Sequence, residues 1–432
     1  MSSTAVRVFA IILAASLLMG RAAAAQAQDP EPTVTELVAI VKNNPDPERR
    51  IAAIKKLAGI TKPADERDNL VTETLIDAAK STQDSLVGEV AVRALKSIQK
   101  IYSQAKTKYL PTFTFILRDP KALPSVRAEI AQLFIDTLEK GQADAAAFHA
   151  IKDIAKNRAE QSIPVRCKCI EALVNSGDPE AMGIFSDALS EPDNSLKESA
   201  TRAIKDLLMK DPNAGTGLAQ TAVSRIIDMM NDEALDKDLR IVAIQAVGQL
   251  IASNAPGAAR GLDILMNMML VVPVDEIVRA AIEAVGTVGT AQSAAPLIRT
   301  YDEYFDEKKP TSEKDVPVRH AAVKALRSLL STQAVKIASD MATVHSVALK
   351  LEDVLDKDPV MPIKESAVYA LSFLHPKKFE AEQKPAITAL VALFEKLPPE
   401  AALKDMIGDT MNIIAQKNFS KNIARWKEWL RR

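Results

Sequence analysis

Residues 318–330 read VRHAAVKALRSLL, and this stretch decides the fold. Val318, Ala322, Ala325, Leu326 and Leu329 fall on one face at helical spacing, and Arg319 opens the run. The same phrase recurs at Val126-Arg127, Val165-Arg166, Leu239-Arg240 and Ile363-Lys364. An apolar pair follows each basic residue six and seven positions on: Leu133-Phe134, Ala172-Leu173, Ala246-Val247, Ala325-Leu326 and Ala370-Leu371. Lys197 stands in the same relation to Ala203-Ile204, and Arg50 to Leu57. Arg279 is one residue out of phase ahead of Ala284-Val285, and Gly88 replaces the basic residue in the unit ending Ala94-Leu95. Consecutive phrases lie about forty residues apart, which means stacked helical hairpins rather than one globular core.

Working outward, strand signals are nearly absent. Aromatics make up 4% of the chain, and Ala, Leu, Lys and Glu fill the periodic runs. Breakers separate the runs at Asp46-Pro47, Asp119-Pro120, Asp178-Pro179, Asp211-Pro212 and Asp358-Pro359, where Asp suits a helix cap and Pro a first turn. The expected fold class is all-α: a right-handed α-α superhelix of about nine to ten hairpins.

The repeated phrase resembles the HEAT-repeat (armadillo-type) α-solenoid family across roughly residues 33 to 415. That resemblance implies a ladder between a turn Asp and a second-helix cation. Asp119 with Arg127, Asp193 with Lys197, Asp238 with Arg240, Asp315 with Arg319 and Asp356 with Lys364 match it, and Gly88 departs from it. It also implies a concave face, lined by the second helices, as the default binding surface. The aromatic finish near Trp426 and Trp429 is similar to that of exported bacterial HEAT-repeat proteins.

Charge is balanced, 55 basic against 56 acidic residues, which disfavours a duplex-DNA binder, so no nucleic-acid partner and no stable membrane span after signal cleavage are expected. The N-terminus reads as a secretory signal over residues 1–27. Arg7 precedes an apolar run from Val8 to Met19, and Ala25-Gln26-Ala27 offers a cleavage site near Ala27. An uncleaved membrane anchor is the alternative. The expected organisation is a signal peptide at 1–27, a solenoid at 28–415 and an amphipathic capping helix at 416–432, in a mature chain that is periplasmic or secreted. Cys167 and Cys169 sit two apart on a helical run, point to opposite sides and read as small buried apolar residues.

The search for chemistry returns little. None of His149, His320, His345 and His375 is followed by Glu, so the paired His-Glu dyads of di-iron HEAT-type hydroxylases are absent. The chain contains no H-E-x-x-H, P-loop, G-x-S-x-G or Rossmann fingerprint. Gly215-Thr216-Gly217 reads as an inter-repeat loop. The only two Trp residues stand at the C-terminus, which opposes the Trp-lined cleft of a HEAT-like glycosylase and the aromatic pocket of a bilin lyase. Three segments depart from the repeat. Tyr301–Val316 reads as a helix end packing its aromatics before a solvated loop. Met266, Met268 and Met269 read as a buried first helix. Lys421–Arg432 places Ile423, Trp426, Trp429 and Leu430 on one stripe among cations, as a terminal cap requires. No catalytic, cofactor-binding or metal-ligating residue is expected. The expected role is a non-catalytic scaffold for a protein or peptide partner, with a small-ligand carrier or lyase-like enzyme as the alternative.

Overall fold

The computed structural model describes residues 32–59, 66–80, 84–99, 105–137, 145–160, 162–336, 341–375 and 379–432. The signal segment 1–27 lies outside them. Among the described residues there are 21 α-helices and no strand. In order they are α1 (Val34–Asn43), α2 (Pro47–Ala58), α3 (Glu66–Lys80), α4 (Ser85–Gln99), α5 (Ala105–Arg118), α6 (Pro124–Thr137) and α7 (Ala145–Lys156). Then come α8 (Ile163–Leu173), α9 (Ala181–Ala188), α10 (Asn194–Lys210), α11 (Thr216–Asn231), α12 (Lys237–Ala252), α13 (Gly261–Val271) and α14 (Asp275–Val288). The last seven are α15 (Ala294–Glu303), α16 (Asp315–Lys336), α17 (Met341–Lys357), α18 (Met361–Leu371), α19 (Glu380–Lys396), α20 (Leu403–Ala415) and α21 (Ile423–Arg431). Odd-numbered helices are the first of each pair and even-numbered helices the second. Ten pairs precede α21, at the upper end of the nine to ten expected.

Local signals set the starts. Thr33 caps α1 through a capping box with Glu36, and Asp46 caps α2 with Pro47 at the first helical position. Asp193 caps α10, Asp236 caps α12 and Asn422 caps α21. The other Asp-Pro pairs work differently. Asp119, Asp178, Asp211 and Asp358 each accept an amide N–H two residues on and so brace the turn rather than cap a helix.

The described helices form two compact units. Of the described residues, the first comprises those up to Phe134 together with 145–150, and the second comprises 135–137 and those from Ile151 to Arg432. Helix α2 packs on α4 in the first unit, and in the second each even helix from α8 to α18 packs on the next even helix; α2, α4 and α10 to α20 also pack on their odd partners. The core is therefore a row of small clusters rather than one mass. Ala, Leu, Ile and Val dominate it, with Ile54, Leu57 and Leu95 fully buried in the first unit, and Ile244, Val285 and Leu326 in the second. Each fully buried side chain of this size contributes roughly 1.5–3 kcal/mol, so every pair carries its own share of the stability.

Two glycines explain how close the even helices come. A Cβ on Gly248 of α12 would lie 2.7 Å from the Ala284 Cβ of α14, and one on Gly286 of α14 would lie 2.8 Å from the Ala325 Cβ of α16. Gly88 of α4 meets the same demand. Its missing Cβ would sit 2.7 Å from Val126 Cγ2 of α6. The departure at position 88 is thus a packing requirement.

Candidate functional site

The repeated basic residue is the feature sequence reasoning marked most strongly, and its side chain is buried. Arg127 and Arg166 are each 2% exposed and Arg319 is fully buried. What these cations touch differs from the expected ladder. Arg50 Nε donates to Val41 O (3.0 Å), Arg127 Nε to Leu117 O (2.9 Å) and Arg240 Nε to Met230 O (3.4 Å). Lys364 Nζ donates to Leu355 O at 2.5 Å and Arg166 Nη2 to Ala155 O at 3.3 Å. Each acceptor stands in the last turn of the preceding odd helix, where carbonyls have no intrahelical donor and the helix dipole favours a cation.

The carboxylate rungs are fewer and come from elsewhere. Arg166 pairs with both oxygens of Glu191 at 2.6 Å, and Arg319 bonds Asp358. In both cases the acid belongs to the turn of the following pair. The five Asp residues expected as rungs have other work. Asp119 braces its turn, Asp193 caps α10, Asp356 binds Lys396 at 2.6 Å, and Asp238 and Asp315 lie in the first turns of α12 and α16. Sequence offset does not distinguish a turn Asp that caps or braces from one that forms a rung; Asp358 does both. Arg279 is exposed because Val278 takes the buried position, and Lys197 is only half-buried.

The second unit has two unlike layers. Between odd helices there are open grooves. One of about 820 Å³ lies between α15 and α17, floored by Ala291, Ala294, Ala295, Ile298 and Leu349. A second of about 560 Å³ lies between α17 and α19 and ends at Leu430. The even layer is drawn together by its glycine and alanine contacts. It presents polar and aromatic side chains to solvent, among them Gln245 on α12, Lys324 on α16 and Tyr369 on α18.

Glu352 of α17 lines the second groove and interacts with Glu382 of α19. Glu382 is 6% exposed and one of its oxygens has no hydrogen-bond partner; the other is 3.4 Å from His345 Nδ1. Burial, reinforced by the Glu382 charge and opposed by His345, pushes the Glu352 carboxyl up to about 7. The two glutamates are remote in sequence, and only the packing of α17 on α19 brings them together.

No protein-family model matches the sequence, and no curated protein matches it. Solved structures do. Importin beta is 15% identical over 92% of this chain and 54% of its own, with a TM-score of 0.61. The karyopherin Kap121p bound to the extreme C-terminus of the protein phosphatase Cdc14p is 14% identical over 100% of this chain and 51% of its own, at 0.56. These neighbours are HEAT-repeat solenoids. The chain is a HEAT-repeat α-solenoid. It spans about half the length of these karyopherins, and at this identity the likeness concerns the fold alone.

In this solenoid the remaining sequence candidates are structural. Cys167 and Cys169 are both buried free thiols, and burial pushes the Cys167 thiol up. Gly215 sits at φ 62° at the start of α11, its missing Cβ 2.7 Å from Met182 Cβ, which makes Gly215–Gly217 a close turn. Met268 and Met269 are buried in α13. Tyr301 is buried and donates to Asp358 Oδ2 at 2.7 Å, its ring stacks on Phe305, and Arg319 lies over Phe305. The aromatic half of the 301–316 segment therefore closes the Arg319–Asp358 rung. Among the described residues no three His, Cys, Asp or Glu side chains are grouped to hold a metal ion.

Proposed function

We propose that this solenoid is a non-catalytic protein-binding scaffold working outside the cytoplasm, and that its partner lies along the concave face formed by the even helices. The observation that carries the face is the contrast between layers over α12 to α19 of the second unit; in the first unit an opening of about 440 Å³ lies between the even helices α2 and α4. Gly248 and Gly286 admit Ala284 and Ala325 at van der Waals limits, whereas the odd helices stand apart over grooves of about 820 and 560 Å³. A stack that is tighter on one side curves toward that side. One solved solenoid of this fold, Kap121p, is bound to the extreme C-terminus of Cdc14p in one structure and to Pho4p in another.

Location rests on residues 1–27, read as a signal removed near Ala27. Residues 416–432 serve as the terminal cap in this reading. Trp426 is fully buried, donates from Nε1 to Ser420 O at 3.0 Å and packs edge-on against Phe419.

The test is a cross-linking pull-down of the mature chain from an extracytoplasmic extract, with its N-terminus sequenced. The reading expects a start at or near Gln28 and one dominant protein partner cross-linked to several even helices. A retained residue 1, or a well-folded bait without any protein partner, contradicts it. The second reading, a small-ligand carrier or enzyme, draws on Glu352 in its groove. If it holds, Glu352→Gln removes ligand binding or turnover in a metabolite screen; the scaffold reading expects no such change.

A further inference from the structure

The even helices treat their surface charges in two ways. On α8, Lys168 pairs with Glu171 (2.6 Å), on α10 Arg202 pairs with Glu198 (2.7 Å), and Lys237 of α12 pairs with Glu276 of α14 (3.0 Å). Helix α16 has no such neutralisation. From Val318 to Leu330 it carries no acid. His320, Lys324 and Arg327 recur on one face with Ser328 and Ser331, and Lys324 and Arg327 join no ion pair among the described residues. His320 Nε2 lies 2.9 Å from Ser366 Oγ of α18. Burial and the adjacent Lys324 and Arg327 charges hold the His320 pKa below its usual value, so the three basic groups share one local field.

Beside this stripe lies an aromatic edge. The Arg327 guanidinium sits 5.3 Å from the Tyr369 ring centroid of α18, and Tyr369 in turn meets Phe373 edge-on at 5.5 Å. Tyr369 is 49% exposed. A guanidinium fixed over a ring is held ready for a carboxylate. On the flanking helices Arg279 and Glu283 of α14 and Glu365 of α18 are exposed, and Arg279 has Glu276 nearby.

We infer that the α14–α16–α18 stretch of the even layer binds an extended acidic peptide segment carrying an aromatic residue. Lys324 and Arg327 take its carboxylates, and Tyr369 and Phe373 take its ring. The inference rests on the reading that the even layer receives a protein partner and names the chemistry of that partner. A polynucleotide fits less well, because Glu283 and Glu365 would face its continuous phosphate backbone, whereas a peptide can place its carboxylates at intervals. The two steps between three even helices, roughly 10 Å each, are spanned by roughly six extended residues at about 3.3 Å each.

The experiment is fluorescence polarisation on the full chain. The probes are a labelled peptide of alternating Glu and Gly with one central Tyr, the same peptide with Lys for Glu, and a single-stranded oligonucleotide of similar length. The expected result is binding of the acidic peptide alone, weakened by added salt, and at least about tenfold weaker in Lys324→Gln/Arg327→Gln. Tyr369→Ala should weaken the Tyr-containing peptide but not an all-Glu-Gly peptide. Arg202→Gln, on the paired surface of α10, should leave binding unchanged. Lys324 is exposed and Arg327 half-exposed, so circular dichroism should show the double variant folded; if it does not, Lys324→Gln alone is read, with a several-fold loss expected. Failure of the acidic peptide to bind, equal binding by the variants, or preference for the oligonucleotide or the Lys peptide overturns the inference. Cross-links from a partner to α10 and α12 together with any of those results would leave the scaffold reading standing and this one refuted.

Discussion

Arg166 shows what a single repeated residue does here. Its guanidinium is 2% exposed, holds both oxygens of Glu191 and reaches the last-turn carbonyl of Ala155. Arg166→Ala leaves a nearly buried carboxylate and a helix end without their donor and should cost about 3 kcal/mol, read as an earlier urea midpoint. Arg166→Lys, a point charge without the fork, should recover only part of it. Glu352 gives a pH signature of opposite sense to most acids. Its folded pKa of about 7 is above the usual 4.5, so the folded state holds a proton that the unfolded state has released. Its stabilising contribution is fully present below about 4.5 and is lost as pH rises toward 7. Thermal melts between pH 4.5 and 8 should therefore show that Glu352→Gln flattens this decline and raises Tm at pH 8. At this scale the sequence was half legible. The phase of the cations identified the buried row, but their acceptors were not readable. A carbonyl partner leaves no mark in side-chain identity, and Glu191 and Asp358 lie in the next unit's turn.

Between elements, stability depends on how closely even helices approach. Gly248→Ala places a Cβ 2.7 Å from the Ala284 Cβ and 2.9 Å from its Cα, both on a packed helix that has no slack. The gain in helix propensity, about 1 kcal/mol, is opposed by overpacking of roughly 1–3 kcal/mol. The variant should be neutral to destabilised. Gly217→Ala is the control. Nothing lies within 4 Å of its added Cβ, so it should be neutral or slightly stabilised in the same denaturation series. Helix existence was readable throughout from the 3.6-residue period, as Val318 to Leu329 illustrates. The fine spacing was not, because Gly88 looked like a missing cation and is in fact the contact point for Val126. Likewise Arg279 drew attention by its charge, while Val278 occupies the structural position.

At the scale of the molecule, a solenoid confines damage to neighbours. Trp426 is fully buried against Phe419 and Trp429. Trp426→Ala should cost about 3–5 kcal/mol locally, and hydrogen exchange should rise in α19 to α21 while α8 to α14 keep their protection. Global loss of protection would contradict nearest-neighbour stability. The fold class and hairpin number were legible because periodicity repeats in every unit. The grooves and the Glu352–Glu382 pair were not, because they arise from the distance between helices that are adjacent only after stacking. The central claim, a partner on the even layer, is tested most directly by a lysine-labelling footprint of the captured complex. The account predicts protection of Lys205, Lys237 and Lys324 on α10, α12 and α16, with Lys156 and Lys384 of the odd layer labelled as in the free chain. Protection of Lys156 and Lys384 with the even-layer lysines still reactive would contradict it.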